Sequence, residues 1–348
     1  MKTETFRGRD FLTLLDYTRE EVETILDVSL DLKRRFAMGE PHDHLLRGKT
    51  LFMIFYNQSL RTRNSFEAGM TQLGGHAHYL DPEKIYTPAL EGREVAYATE
   101  RVSDVARVLS RMGHGIAIRC YGDPVDWVYG GAHEIEREFA RWSDIPVINM
   151  ECDKYHPCQA LADMLTVKEK FGGFPGVKFV MSWAYSPSIH KPRAVPQSAI
   201  IAATMTGMDV ILAHPKGMEL DEEVLEACRA HVKKYGGSFE ISNDMKEAFR
   251  GAHVVYPKSW TAKVMFKPPV GEDNSQKAKE IFEANRDWIC DEENMKLIHP
   301  EGIYLHCLPC DRGFEVTNAV IDGPQSAVFD QAENRLHVQK AVMALTMR

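Results

Sequence analysis

The chain has no run of 18 apolar residues and no basic-then-apolar leader, so neither a membrane span nor an export signal is expected. Cysteine is sparse: seven in 348 residues is no disulfide scaffold, and the odd count fits a reducing cytoplasm. Positive charge is also in deficit. A net charge of −8 argues against a general nucleic-acid binder, while leaving room for a local basic pocket. There is no G-x-G-x-x-G after a strand, no P-loop and no G-x-S-x-G, so dinucleotide, nucleotide and serine-hydrolase chemistries find no support. Internal repeats and low-complexity tracts are missing as well.

What is there is ordinary for a globular protein of about two domains: 44% hydrophobic and 26% charged residues. Residues 10–36 read as a helix with a Thr18–Glu21 capping box. Thr50–Tyr56 (TLFMIFY) reads as a buried strand, followed by a polar turn and a helix carrying Phe66, Met70 and Leu73. A polar loop spans 81–95, with a helix at 100–112 and strands at 115–120 and 146–150. A helix opens at His156-Pro157-Cys158-Gln159 and runs to about Phe171, and the Gly172–Gly176 breaker stretch follows. Strands near 178–183, 209–213, 238–241, 253–256 and 303–306 then alternate with helices at 198–206, 222–235 and 245–249. Residues 261–280 read as irregular, and 333–347 as a last helix. Such alternation predicts α/β architecture, two doubly wound parallel-sheet domains. The expected division is 1–155, joined by a C-terminal helix 330–348, and 156–329.

Ligands of open α/β sheets gather at the carboxyl ends of the strands. Polar groups stand at five such ends: Arg61, Arg119, His156, Lys258 and Cys307. The stretch Ser59-Leu60-Arg61-Thr62-Arg63 opens a helix, where free N–H groups and the positive dipole end suit an anion, and arginine forks match phosphate oxygens. Read alone, it also suits a capped helix start, Arg119 a surface ion pair and His156 a cap. A neutral histidine at a helix start could instead donate to a developing oxyanion. Cys307-x-x-Cys310 raises zinc or redox chemistry, but no second ligand pair with suitable spacing follows, and no metal is expected.

Together these motifs resemble the aspartate/ornithine carbamoyltransferase family, in the family's order and over almost the whole chain. Ser59-Leu-Arg-Thr-Arg63 is similar to its S-x-R-T-R loop, and Arg119 in IAIRCYG to its carbonyl-binding arginine. His156-Pro-Cys-Gln159 is similar to its H-P-x-Q. His306-Cys-Leu-Pro309 and Arg335 in AENRLHVQKAVM are similar to the H-C-L-P motif and late arginine of the ornithine-type branch. The resemblance implies one domain for carbamoyl phosphate and one for an amine acceptor, a homotrimer with shared active sites, and no cofactor. It assigns Ser59, Leu60, Arg61, Thr62 and Arg335 to the phosphate. Arg119, Thr62 and His156 would hold the carbonyl oxygen, and Gln159 with the carbonyls of Cys307 and Leu308 the carbamoyl NH2.

MSWAYSPSIHKPRAVPQS, with YPKSW further on, resembles the knotted subgroup, in which the chain near Lys258–Trp260 threads a loop near 185–196. That subgroup includes N-acetylornithine and N-succinylornithine carbamoyltransferases. By resemblance Glu151 and Lys258 belong to the acceptor pocket, and Tyr86 replaces an aromatic lent by a neighbouring subunit. The departure lies after H-C-L-P. Where acetylornithine enzymes carry an arginine and then a lysine, this chain has Asp311 and Glu315. Arg312 stands next door as a substitute for the arginine, and Glu315 as a substitute for the charge of a carbamylated lysine. An N-acylornithine is the first acceptor implied. A ureido-bearing diamino acid, in the phosphorolytic direction, is the alternative. A catalytically silent carbamoyl-phosphate-binding regulator is the reading of another class.

Overall fold

The first long helix begins where Thr18 accepts the Glu21 N–H and Glu21 returns the bond to the Thr18 N–H. The expected start at residue 10 is therefore corrected: α1 is Arg19–Ala37. Residues before it are held elsewhere, because Phe11 exchanges backbone bonds with Val147 and Asn149, and Thr13 caps a short 3-10 turn. In this computed structural model, residues 3–347 are described. They divide into two units, one running to Leu161 and resuming at Arg335, the other Ala162–Asn334.

The first unit contains strands β1 (Thr50–Phe55), β2 (His76–Leu80), β3 (Thr87–Ala89), β4 (Thr99–Arg101), β5 (Gly115–Arg119) and β6 (Val147–Glu151). Its further helices are α2 (Leu60–Gln72), α3 (Val102–Met112) and α4 (Gly131–Trp142), and α5 (Pro157–Phe171) starts in it. The main sheet runs β2-β1-β5-β6, every pair parallel. Its central strands β1, β5 and β6 are apolar and almost wholly buried, as a sheet covered on both faces requires. The order reverses between β1 and β5, so a crevice opens at their carboxyl ends. Phe55 and Arg119 are register partners there. The expected 81–95 loop includes a strand, β3, which pairs with β4. Helix α4 had no counterpart among the sequence expectations.

The second unit holds β7 (Lys178–Trp183), β8 (Asp209–Ala213), β9 (Ser238–Ser242), β10 (Val254–Lys258) and β11 (Ile303–Tyr304) in the parallel order β11-β10-β7-β8-β9. Helices α6 (Ala194–Met205), α7 (Glu222–Tyr235), α8 (Met245–Phe249), α9 (Ser275–Glu283), α10 (Glu292–Met295) and α11 (Asn318–Ile321) belong to it. Helix α6 begins four residues before the expected Ser198. Pro196 sits in its first turn, where a missing N–H costs nothing. Helix α9 lies in the stretch expected to be irregular, and the Asn274 side chain caps it. The sheet reverses between β7 and β10. The chain after β10 is bonded to the loop after β7: Thr261 N donates to Lys191 O at 3.0 Å, Lys191 N to Thr261 Oγ1 at 2.8 Å, and Thr261 Oγ1 to Ile189 O at 2.6 Å.

The last helix, α12 (Val328–Thr346), begins earlier than expected. Within the first unit it lies close on α2 at Gly69, where a Cβ would fall 2.9 Å from Met343 Cε and 3.3 Å from Lys340 Cγ. None of the described helices is long and apolar enough to cross a membrane.

Candidate active site

Ser59 caps α2, accepting the Thr62 N–H at 3.1 Å. This consumes one first-turn donor, and a helix start directs its other first-turn N–H groups outward. Leu60 is 72% exposed, so it offers backbone rather than side chain. The two arginines of the loop part company. Arg63 pairs with Glu67 at 2.9 Å and lies over the Tyr79 ring at 4.0 Å.

Thr62, by contrast, is buried and faces inward. Its hydroxyl accepts from Arg335 Nη2 at 3.0 Å and from Arg119 Nη1 at 3.5 Å. Arg335 Nη1 donates to Gln159 Oε1 at 2.7 Å. Arg119 Nη1 contacts Glu151 Oε2 at 2.5 Å, and His156 Nε2 lies 3.7 Å from the same oxygen. The first unit thus assembles one chain of contacts, Gln159–Arg335–Thr62–Arg119–Glu151–His156, from the ends of β5 and β6, the first turns of α2 and α5, and α12. Pro157 at the first position of α5 fixes its entry just after His156.

The electrostatics differ between the two buried arginines. Burial works against the charge of Arg119, but Glu151 and Tyr121 outweigh it and hold its pKa above the ordinary value. Arg335 has neutral partners in Thr62 and Gln159. Burial, helped by repulsion from Arg119 and Arg61, lowers its pKa. A buried arginine beside a second arginine and an open helix N-terminus is a cradle for a multiply charged oxyanion.

Two contributors to this geometry escaped the sequence reading. Arg119 Nη2 donates to the Tyr121 hydroxyl at 2.9 Å. Asn57 receives the Tyr121 N–H at 2.9 Å and donates to the Tyr121 carbonyl at 3.0 Å, tying the β1 and β5 ends together. Their signal was only position, each two residues beyond a strand end. Tyr86 is 54% exposed, just before β3.

In the second unit, His306 and Glu315 are buried. Glu315 accepts the Ser259 N–H and the Asp311 N–H, both at 2.7 Å, and its Oε2 lies 3.3 Å from His306 Nε2. Burial alone would raise its pKa, but His306, Lys258 and the backbone donor hold it far below the usual carboxylate range. His306 Nδ1 accepts the Leu308 N–H at 2.9 Å, and Leu308 adopts φ +54°. A leucine in the left-handed region is costly and marks a loop held in place by its surroundings. Lys258 is buried, with Nζ donating to the Ser259 carbonyl at 3.1 Å. Asp311 Oδ2 accepts from Ser186 Oγ at 2.6 Å and Lys191 Nζ at 2.7 Å. Arg312 is drawn the other way, into a two-pronged pair with Asp322 at 2.6 and 2.8 Å. Cys307 and Cys310 are half-buried and form no disulfide.

The family model described as aspartate/ornithine carbamoyltransferase, carbamoyl-P binding domain, matches residues 9–169. The one described as the Asp/Orn binding domain of the same family matches residues 191–346. The chain belongs to the aspartate/ornithine carbamoyltransferase family, a family of transferases. It is 41% identical to the anabolic ornithine carbamoyltransferase of Pyrococcus furiosus over 98% of this chain and 96% of that one. It is 39% identical to the N-acetylornithine carbamoyltransferase of Xanthomonas campestris over 97% of each. Among solved structures, acetylornithine transcarbamylase complexed with acetylcitrulline matches with a TM-score of 0.89 at 38% identity, covering 98% of this chain and 99% of that one. The ornithine carbamoyltransferase of P. furiosus matches with a TM-score of 0.82 at 40% identity, covering 98% of each.

Proposed function

We propose that the chain transfers the carbamoyl group of carbamoyl phosphate to the side-chain amine of an N-acylornithine. The observation that carries the donor half is the Arg335–Thr62–Arg119 cluster at the N-terminus of α2. In this reading the N–H groups of Leu60 and Arg61, the Arg61 side chain, Ser59, Thr62 and Arg335 bind the phosphate. Arg119, Thr62 and His156 surround the carbonyl oxygen, and Gln159 accepts from the carbamoyl NH2. In the second unit, the carbonyls of Cys307 and Leu308 are acceptors for an N–H, supported by the strained, tethered Leu308. The neutral amine attacks the carbamoyl carbon, negative charge grows on the carbonyl oxygen, and the bond to the phosphate oxygen breaks. Phosphate leaves carrying the amine proton, so no side-chain base is required. Loss of a single oxyanion donor of this kind typically costs on the order of 10²–10³ in rate.

The acceptor is supported by the acetylornithine relative and by the higher TM-score with the acetylcitrulline complex, although the sequence identities to the ornithine enzymes are as high. A second reading, a ureido-bearing diamino acid used in the phosphorolytic direction, is favoured by one observation. Asp311 presents a carboxylate, and Arg312 is committed to Asp322, so neither position presents a free cation to an acceptor carboxylate. We further infer a homotrimer, with the exposed Tyr86 serving a neighbouring subunit, and a cytoplasmic setting consistent with seven cysteines outside any disulfide. The Thr261–Lys191–Ile189 bonds support a knotted second unit.

Phosphate release from carbamoyl phosphate is to be followed with N-acetylornithine, N-succinylornithine, ornithine, aspartate, putrescine and ureido-diamino acids in turn. Release with an N-acylornithine is expected. Release with aspartate alone overturns the acceptor, and binding of a bisubstrate mimic with no turnover of any amine favours a silent regulator. Arg61→Ala is expected to abolish carbamoyl-phosphate binding in calorimetry, and unchanged affinity would sink the placement of the site.

A further inference from the structure

A second constellation lies in the first unit, outside the contacts used by the transfer reaction. His133 and Glu136 stand one turn apart on α4, and Cys152 stands on the turn after β6. Glu136 is 0% exposed, and its carboxyl takes a hydrogen bond from the Cys152 thiol. Burial favours the protonated form of this group, and a cation beside it would compensate the desolvation of the ionised form. His133 Nδ1 lies 3.7 Å from Glu136 Oε2 and 3.7 Å from Cys152 Sγ, and the three atoms fall within 4.8 Å of one another. Two of these separations are close to the roughly 3.5 Å edge of a tetrahedron built on zinc–nitrogen and zinc–sulfur bonds of about 2.0–2.3 Å.

We propose that His133 Nδ1, the Glu136 carboxylate and the Cys152 thiolate bind a divalent ion of the zinc class. The donor set selects the metal: one sulfur and one imidazole suit zinc and its transition-metal neighbours, not magnesium or calcium. Thiolate plus carboxylate cancels the ion's double charge, which a buried site demands. The sulfur is already polarised for this, receiving the Tyr155 N–H at 3.2 Å and Asn149 Nδ2 at 3.4 Å. His133 Nε2 now accepts from Arg137 Nε at 2.9 Å. With Nδ1 on the ion, Nε2 carries the ring proton, and Arg137 turns to Asp16, already 3.6 Å away. Water completes the fourth position.

The role is positioning. Cys152 directly follows Glu151, the partner of Arg119, and the turn it starts delivers His156. Asp153 already ties this turn to α4, accepting the N–H groups of Gly130 at 2.5 Å, His133 at 3.3 Å and Ala132 at 3.4 Å. An ion between Cys152 and α4 locks the same junction. Transfer chemistry does not pass through it.

The test uses the full chain, stripped with chelator and titrated with zinc against a chromophoric competitor, with metal content measured after desalting. A double Cys307→Ser, Cys310→Ser variant removes the two half-buried thiols as a rival site. One zinc per chain is expected in both proteins, with a raised melting temperature. Cobalt should give a sulfur-to-metal charge-transfer band that Cys152→Ser abolishes. His133→Ala, at a partly exposed position that leaves the core intact, should weaken zinc by more than about a hundredfold, since loss of even an indirect supporting group costs 10–100-fold. Glu136→Gln should do the same. No zinc retained by the parent, or retention undiminished in folded His133→Ala, overturns the proposal.

Discussion

Arg335 Nη2 donates to the Thr62 hydroxyl at 3.0 Å, joining residues 273 positions apart in the chain. The bond ties α12 to the first turn of α2, and the close approach at Gly69 makes it possible. It places a guanidinium with neutral partners behind an open helix N-terminus. An uncompensated buried cation costs stability and is repaid only when an anion arrives.

Arg335→Met should therefore separate stability from function. Carbamoyl-phosphate affinity should fall at least about tenfold, since a hydrogen bond to a charged group is worth roughly 1.5–3 kcal/mol. The melting temperature of the unliganded protein should hold or rise. Calorimetry and thermal unfolding of the same preparation check both, and a large drop in melting temperature would show that Arg335 is a structural cation instead.

Glu151 neutralises Arg119 at 2.5 Å. In Glu151→Gln the guanidinium meets the donor without a competing carboxylate. Carbamoyl phosphate should bind about fivefold more tightly, equivalent to roughly 1 kcal/mol of relieved competition. Transfer to the amine should slow, because Glu151 is proposed to face the acceptor. Weaker donor binding would contradict the competition.

Glu315 joins Ser259, Asp311 and His306, and its pKa is depressed by that setting. A carboxylate with a depressed folded pKa stabilises the fold above its unfolded value, here 4.5, and the contribution is lost as pH falls from there toward the folded value. Glu315→Gln should thus cost about 3 kcal/mol at neutral pH. Denaturant titrations should show the gap to the parent closing below pH 4.5. A gap independent of pH would mean that shape, not charge, holds these segments.

Lys340 is buried on α12, with Nζ 2.9 Å from Gln72 Oε1 and 3.1 Å from His42 Nε2. Burial lowers its pKa from 10.5 to about 8. Below the folded value both states are charged and the fold bears the cost, which disappears as pH rises from 8 to 10.5. Relative to Lys340→Met, the parent should gain on the order of 1–3 kcal/mol across that window. Stability curves of parent and variant that run parallel would exclude the effect.

How far the sequence carried differs between backbone and site. The parallel α/β architecture was legible in the apolar runs of β1, β5 and β7, because strands buried on both faces admit little else. Capping chemistry was legible at Thr18 and Ser59, where donor and acceptor lie within three residues. Helix limits failed at residues 10–18, where Phe11 pairs with β6, and at α6, where Pro196, ahead of the expected start, lies in the first helical turn. Both errors have one cause: a distant or positional hydrogen-bond arrangement overrides local pattern.

The order of motifs by itself pointed to the family that both domain models match, and S-x-R-T-R, Arg119, His156-Pro-Cys-Gln159 and Arg335 supplied the proposed donor half of the site. Tertiary structure alone decided which side chains meet. It sent Arg63 to the surface and Arg61's neighbour Thr62 into the core, committed Arg312 to Asp322, made Glu315 a buried junction, and brought His133, Glu136 and Cys152 together. Those outcomes depend on α12 lying against α2, on α4 facing the β6 turn, and on the loops of the second unit folding around Glu315. Contacts between residues far apart in the chain leave no local pattern to read.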